Sequence, residues 1–342
     1  MTLPDDMQAL VLLQAGYASA LAGVAPPALT GLVALQRVPV PRPGPGQVLV
    51  KVALSPINPS DLLYIAGTYG QPRARGTPAG FEGTGVVVAA GDPRAAALNA
   101  RRVSFLASAS GAWADYALAD AASCVAVDDE LRDEDAAALL VNPLTAITMI
   151  DIAARLGVNA VVLTAAGSQL GRMMIPLARE RDIAPIAIVR KPDAIGSLQE
   201  LGAAEVLASS APGFAGQLAS VLRARKPRVL FDAVGDQLAA DIFLAMPSHS
   251  RWISYGILSA RGPCLPDMRS FVFQGKGIEG FWLSRWFGAA DPVTRARATQ
   301  EAQRRFLDGT WRTQIAARVP LGDTPRGLPP VLDLPGKVLL AP

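Results

Sequence analysis

Two short stretches carry the clearest chemistry in this chain. The apolar run Ala160-Val161-Val162-Leu163-Thr164 turns into Ala165-Ala166-Gly167-Ser168-Gln169-Leu170-Gly171. Small residues opening a helix after a buried strand suit a dinucleotide pyrophosphate. Backbone N–H groups can approach the phosphates, and the helix N-terminus supplies partial positive charge. The glycine fingerprint is degraded, because Ala166 and Ser168 stand at two of its three glycine positions. An ordinary strand-to-helix turn is therefore the competing reading. The next strand ends in Arg190-Lys191, and no acid follows until Asp193. A carboxylate there would bond a ribose 2′-hydroxyl, whereas a guanidinium grips a 2′-phosphate. The pair favours NADPH over NADH, against the plainer reading of a solvated basic loop.

Other chemistries are poorly supplied. Two cysteines (Cys124, Cys264) and one histidine (His249) make neither a disulfide framework nor the close spacings of a zinc site. A Ser-His-Asp or Cys-His mechanism would have to use His249, which sits in the turn-like Pro247-Ser248-His249-Ser250. No metal site is expected, and the cysteine usage fits a reducing cytoplasm. Lys plus Arg is 32 against 29 Asp plus Glu, a dispersed net +3. That balance argues for neither a nucleic-acid partner nor a membrane surface.

The elements that must position these residues come in two textures. Residues 1–125 read as short strands and turns, with strands at 32–38, 47–54, 83–91, 102–106 and 113–118 and a stiff Pro/Gly corner at 39–46. Residues 7–36 lack any charge and imitate a signal peptide. The acids Asp5 and Asp6 are wrong for export, and Gly16, Gly23, Pro26 and Pro27 break the stretch too early for a span. It reads as a strand, a loop and a second strand. From about 127 the pattern is helical and then strictly alternating. Strands at 160–164, 186–189, 206–207, 229–232 and 251–255 are separated by helices, and Pro176 predicts a kink in the first of these. Such alternation means a doubly wound parallel sheet in an α/β protein. At 342 residues, two domains are expected.

The chain resembles the zinc-free medium-chain dehydrogenase/reductases, the branch that holds NADPH:quinone reductases and mitochondrial-type 2-enoyl thioester reductases. The resemblance rests on many short matches in one order, nearly end to end. They include residues 43–51, Ile57-Asn58-Pro59-Ser60-Asp61, Gly80-Phe81-Glu82-Gly83 and Asn142-Pro143-Leu144-Thr145-Ala146. Further on come the 165–171 turn, Leu201-Gly202-Ala203, Phe231-Asp232-Ala233-Val234-Gly235, Gly280-Phe281-Trp282-Leu283 and residues 336–340. The zinc branch's cysteine would fall near Asn58 and its histidine at Phe81, and no cysteine lies near Asn142.

The resemblance implies a GroES-like β domain over 1–125, a Rossmann NADPH-binding domain over 126–262, and a return to the first domain over 263–342. It places Asn142 at the nicotinamide, Gly167, Ser168, Gln169 and Leu170 at the pyrophosphate, and Arg190 with Lys191 at the 2′-phosphate. Tyr255, Gly256, Ile257 and Leu258 form a loop at the sheet's carboxyl edge. Phe281, Trp282 and Leu283 line the cofactor cleft, with interface core as their plain alternative, and Lys337 reaches phosphates or ribose. A homodimer is implied as well.

Tyr69, in Gly67-Thr68-Tyr69-Gly70, matches the enoyl reductases' loop tyrosine. Its phenol could hydrogen-bond a substrate carbonyl or donate a proton, or the ring could simply pack. The expected activity is NADPH-dependent, metal-free hydride transfer to a small electrophilic acceptor, a quinone or enone before an enoyl thioester. A thioester such as acyl-CoA would want a basic groove, for which Arg73 and Arg75 are the nearby candidates. An NADPH-binding sensor or scaffold with little catalysis is the reading of another class.

Overall fold

The computed structural model describes residues 3–18, 29–107, 110–259, 261–265, 268–324, 328–332 and 334–342. The chain forms two units, Met1–Val141 with Thr299–Pro342, and Asn142–Ala298. Residues 19–28, within the uncharged N-terminal stretch where a loop is expected, lie outside the described residues.

In the first unit the alternating stretch near residue 50 becomes the strand Gln47–Pro56, centre of a 7-stranded sheet. The sheet runs Ile315–Pro320, Lys337–Ala341, Gln47–Pro56, Glu82–Ala90, Arg102–Leu106 and Cys124–Ala126, with Tyr116–Asp120 also paired to Gln47–Pro56. Val48, Val50 and Val52 pack against Val87, Val103 and Phe105. Asp6–Leu12 and Val33–Pro39 form a separate antiparallel pair, the two strands expected on either side of the loop. The strand expected at 113–118 begins three residues later. Trp113 is instead sunk in the core, its indole donating to the Pro56 carbonyl at 3.4 Å.

Asn58 precedes the helix Pro59–Ala66, with proline in the first turn where its missing N–H costs nothing. Asp61 Oδ2 accepts from the Asn58 N–H at 2.7 Å, closing the turn from within. The helix ends at Gly67, whose φ of +79° and a Cβ position 2.8 Å from the backbone nitrogen of Ala18 both require glycine. The Tyr69 loop starts from that glycine. Leu339 and Leu340 pair antiparallel with Pro56 and Ser55, and Ile57 N–H donates to Val338 O at 2.9 Å. That register brings Lys337, 279 residues away in sequence, against Asn58.

The second unit is the expected parallel sheet, with six strands and one more than the alternation suggested. Their order is Glu205–Ala208, Ala184–Val189, Ala160–Leu163, Val229–Asp232, Arg251–Ser254 and Gly277–Gly280. Every neighbouring pair is parallel. Val162, Ile186, Ile188 and Leu230 bury one face against Phe243, Leu218 and Leu222. The helix Gln169–Glu180 continues through Pro176 as one element.

The expected domain boundaries shift. Residues 126–141 stay with the first unit because long-range bonds tie them there. Ser104 Oγ donates to Ala136 O at 2.6 Å, and Asp135 Oδ1 accepts from Thr313 N at 2.8 Å. Residues 263–298 stay with the second, since Gly277–Gly280 extends its sheet beside Arg251–Ser254. The Rossmann unit thus spans 142–298 rather than 126–262. Among the described residues no helix is long and apolar enough to cross a membrane.

Candidate active site

In the second unit the strands' carboxyl ends gather most of the expected residues. After Ala160–Leu163, Ala165 takes a left-handed φ of +47° and Ala166 is fully buried, its N–H donating to Ile188 O at 3.2 Å. Gly167 and Ser168 are exposed, Gln169 is half-buried and Leu170 is buried. Ser168 caps the helix, its Oγ accepting from Gly171 N at 3.2 Å. The third glycine cannot be replaced in place, because a Cβ on Gly171 would lie 2.5 Å from Ala166 O. Of the degraded fingerprint, the chain keeps the glycine that seats helix on turn. A Cβ on Gly167 would meet only Ala194 Cβ and Val189 Cγ1, at 3.7 and 3.8 Å, so the turn lies beside the end of the second strand. At that end Arg190 and Lys191 are exposed, and neither makes an ion pair among the described residues.

Asp232, fully buried at the end of Val229–Asp232, organises the neighbouring loops. Its carboxylate accepts from Thr164 Oγ1 at 2.5 Å, Val234 N at 2.9 Å, Gly235 N at 2.9 Å and Trp252 Nε1 at 3.0 Å. Thr164 Oγ1 in turn accepts from Ala233 N at 2.9 Å. The first and fourth strands are neighbours here although their sequence order reverses, the switch point where doubly wound sheets open a crevice.

Tyr255 N–H donates to Asp232 O, and Leu258 N–H to Ala233 O, so the loop of Tyr255, Gly256, Ile257 and Leu258 is stitched to the loop after the fourth strand. Burial, then the charge of Asp232, pushes the Tyr255 phenol above its ordinary value. Ile257 and Leu258 are exposed. Phe281, Trp282 and Leu283 are half-buried where Gly277–Gly280 passes into the helix Leu283–Ala289. Asn142 is half-buried in the first turn of Val141–Arg155.

Sequence reasoning missed Thr164 and Asp232 as site builders. The available signal was a hydroxyl and an acid at the carboxyl ends of two fully apolar strands.

The first unit holds a second group of polar residues, equally unforeseen. Asn58, Asp61 and Glu82 are each about 1% exposed, and Lys337 is 6% exposed. Lys337 Nζ donates to Asn58 Oδ1 at 2.6 Å, and Asn58 Nδ2 donates to Glu82 Oε1 at 2.8 Å. Glu82 Oε2 accepts from Leu140 N at 3.2 Å and Val141 N at 2.9 Å. Asp61 Oδ1 accepts from Phe81 N at 2.9 Å. Burial, helped by the charge of Glu82, raises Asp61 to about 7. Burial also raises Glu82 and lowers Lys337, while their mutual attraction opposes both shifts. Lys337, expected at the cofactor's phosphates or ribose, thus has its ammonium directed to Asn58.

Tyr69 is half-buried, and its ring lies 5.1 Å from that of Phe81, as does that of Tyr64. Phe81 therefore offers an aromatic wall where the zinc branch would need a donor, and Asn58 has both ends of its amide engaged. Arg73 does not line a basic groove. It is buried under Gly67, donating to Gly16 O at 2.9 Å, Gln14 Oε1 at 3.1 Å and Ile65 O at 3.2 Å. His249 is exposed in a turn at φ +61°, as its neighbours suggest. Cys124 is half-buried with its thiol pushed up to about 12, and Cys264 is exposed.

Comparison with known proteins agrees with this layout. Residues 44–129 match the alcohol dehydrogenase GroES-like domain. The mitochondrial enoyl-[acyl-carrier-protein] reductase of Arabidopsis thaliana is 32% identical over 270 residues, covering 76% of this chain and 70% of that protein. A candidate NADPH:quinone reductase from Mesorhizobium loti is 46% identical over 100% of both chains, with a TM-score of 0.95. A second, from Bacillus thuringiensis, shares the fold at a TM-score of 0.84, 22% identity and 98% coverage of each chain.

Proposed function

From the premise that this chain belongs to the zinc-independent medium-chain dehydrogenase/reductases, we propose that it is an NADPH-dependent oxidoreductase that delivers hydride, without a metal, to a quinone or other activated C=C or enone acceptor. The observation that carries the cofactor choice is the exposed Arg190-Lys191, without an ion pair among the described residues and beside the Ala165–Gly171 turn. Two cations there favour a 2′-phosphate and give an NADH ribose no carboxylate. The turn fits a dinucleotide. Gly171 seats the helix tightly, while Gly167 is exposed and a Cβ there would make only ordinary contacts at 3.7 and 3.8 Å. Gly167, Ser168, Gln169 and Leu170 would hold the pyrophosphate, and Asn142 with Tyr255–Leu258 and Phe281–Leu283 the nicotinamide end.

When bound, the reduced cofactor supplies the hydride. The chain's own part is to hold the acceptor and stabilise the charge that appears on its carbonyl oxygen, and Tyr69 is the group we assign to that oxygen. An electron-poor acceptor needs no Lewis acid. Asn58 and Phe81 accordingly serve as a held amide and an aromatic wall. Of the two candidates for a basic groove Arg73 is buried and only Arg75 is exposed, which favours an uncharged acceptor over a polyanionic acyl-CoA, although the Arabidopsis relative is named for an acyl-carrier-protein substrate.

A homodimer belongs to the same reading. Gly277–Gly280 is the outer strand of its sheet, with Ile278 and Phe273 exposed nearby, and such an edge invites pairing with a copy of itself. A cytoplasmic place is consistent with the two unpaired cysteines.

The test is NADPH oxidation against a panel of quinones, enones and enoyl-CoA esters, run beside equilibrium binding of NADPH and NADH. Turnover confined to enoyl thioesters would transfer the assignment to that substrate. Tight NADPH binding with no turnover on any of the three would make the chain a binding protein.

A further inference from the structure

The amide of Asn58 is held at both ends, and its orientation decides what position 82 must be. An ammonium has only hydrogen-bond donors, so Lys337 must face the amide's oxygen, and it does so at 2.6 Å. The amide's NH₂ end is thereby turned toward position 82, where it meets Glu82 Oε1 at 2.8 Å. The other carboxylate oxygen, Oε2, is claimed by the backbone N–H groups of Leu140 and Val141. Position 82 must accept hydrogen bonds at both ends, which among side chains of this length only a carboxylate does. A glutamine would set its own NH₂ against a donor at one end or the other. Asp61, the remaining ionisable group of the cluster, points both oxygens at the backbone N–H groups of Asn58 and Phe81 and stands outside this chain of contacts.

The two N–H groups that Glu82 holds open the helix Val141–Arg155, and the next residue is Asn142. We infer that Lys337, Asn58 and Glu82 form a buried positioning relay that fixes the start of this helix and so the setting of Asn142, with Lys337 orienting the relay rather than binding the cofactor. The activity readout rests on the function proposed above. The stability readout does not.

The test is a cycle of Glu82→Gln, Lys337→Met and the double variant, each assayed for melting temperature, NADPH dissociation constant and kcat with a quinone. Glu82→Gln should lower kcat about tenfold or more while the NADPH constant stays within about threefold, because the loss is one of placement rather than of a cofactor contact. Lys337→Met alone should lower the melting temperature, since it strands a buried carboxylate. In the double variant Asn58 is free to turn over. Its oxygen then accepts from the new amide, whose own oxygen keeps Leu140 and Val141, while Asn58 Nδ2 loses its partner, so stability and kcat should recover in part.

A double variant that regains less than about half of the melting temperature lost by Glu82→Gln overturns the relay. So does a Lys337→Met variant whose NADPH constant rises about tenfold or more, which would make Lys337 a cofactor ligand. If Glu82→Gln alone cannot be purified, soluble yield of the double variant against that of the single carries the comparison. If the native chain neither binds NADPH nor reduces an acceptor, the functional reading falls while the melting temperatures still decide the relay.

Discussion

Thr164 Oγ1 stands 2.5 Å from Asp232 Oδ1 and accepts from Ala233 N at 2.9 Å, so one hydroxyl joins the carboxyl ends of two parallel strands that belong to different halves of the sheet. Thr164→Val removes it at nearly constant volume and leaves a buried N–H and a carboxylate oxygen short of a partner. The variant should lose about 1–3 kcal/mol of stability and bind NADPH more weakly. The control is Thr148→Val. Thr148 Oγ1 is buried with no hydrogen-bond partner among the described residues, so its loss should be neutral or stabilising. Denaturant titration of both variants checks the pair, and equal stabilities would remove the role given to Thr164.

Arg190→Ala should lose about 1–3 kcal/mol of preference for NADPH over NADH, with NADH binding almost unchanged. Because Arg190 is exposed, the native preference should also shrink as salt is raised. Titrations of both cofactors followed by nicotinamide fluorescence check this. Equal dissociation constants in the native chain would refute it.

Tyr69→Phe keeps the ring that packs 5.1 Å from Phe81 and removes only the hydroxyl. A donor that acts on developing carbonyl charge typically contributes about 10²–10³ in kcat. The loss should be that large for enones and enoyl thioesters. It should be small for quinones, which accept hydride with less need of a donor. Unchanged rates on every acceptor would leave Tyr69 as a wall of the site.

Asp61 gives stability an inverted pH dependence in the mildly acidic range. An aspartate normally titrates at about 4, but burial holds this one near 7 in the folded chain. Between those values the native state keeps a proton that the unfolded chain has released, so stability falls as pH rises through the window, and the penalty is full above 7. Burial gives Glu82 the same sign. Lys337, lowered by burial, acts between its folded and its ordinary value, where the folded state has lost its proton before the unfolded one and stability rises with pH. Going from pH 7.5 to pH 5, the native chain should gain about 2 kcal/mol more than Asp61→Asn. Chemical denaturation at the two pH values reads the slope, which matters here because the substitution also removes a backbone acceptor. Parallel slopes would show that Asp61 is ionised throughout.

What could be read from residue order was whatever periodicity or local spacing controls. The run 160–164 is apolar at nearly every position and is a buried strand. The turn beside Arg190 lies where its small residues suggested.

What could not be read depends on contacts remote in sequence. Residues 126–141 look like the start of the helical half, yet Glu82, 58 residues from Leu140, and Asp135, 178 residues from Thr313, bind them to the β unit. Gly277-Ile278-Glu279-Gly280 has no apolar run and glycine at both ends, so the sixth strand shows only in the pairing. Lys337 looks like a surface cation free to reach a phosphate until its strand is docked beside Ser55 and Pro56.

That late docking matters for how the chain is made. The second unit is one unbroken stretch and can close while synthesis continues, but the first must wait for its strand Lys337–Ala341. On the ribosome, the interval between the emergence of Asn58 and that of Lys337 is on the order of half a minute at about 5–20 residues per second. During that time Glu82 and Asp61 have no cation to be buried with, and the Ser55–Pro56 end of the central strand has no partner. The first unit's sheet is therefore completed by the last strand of the chain to be made.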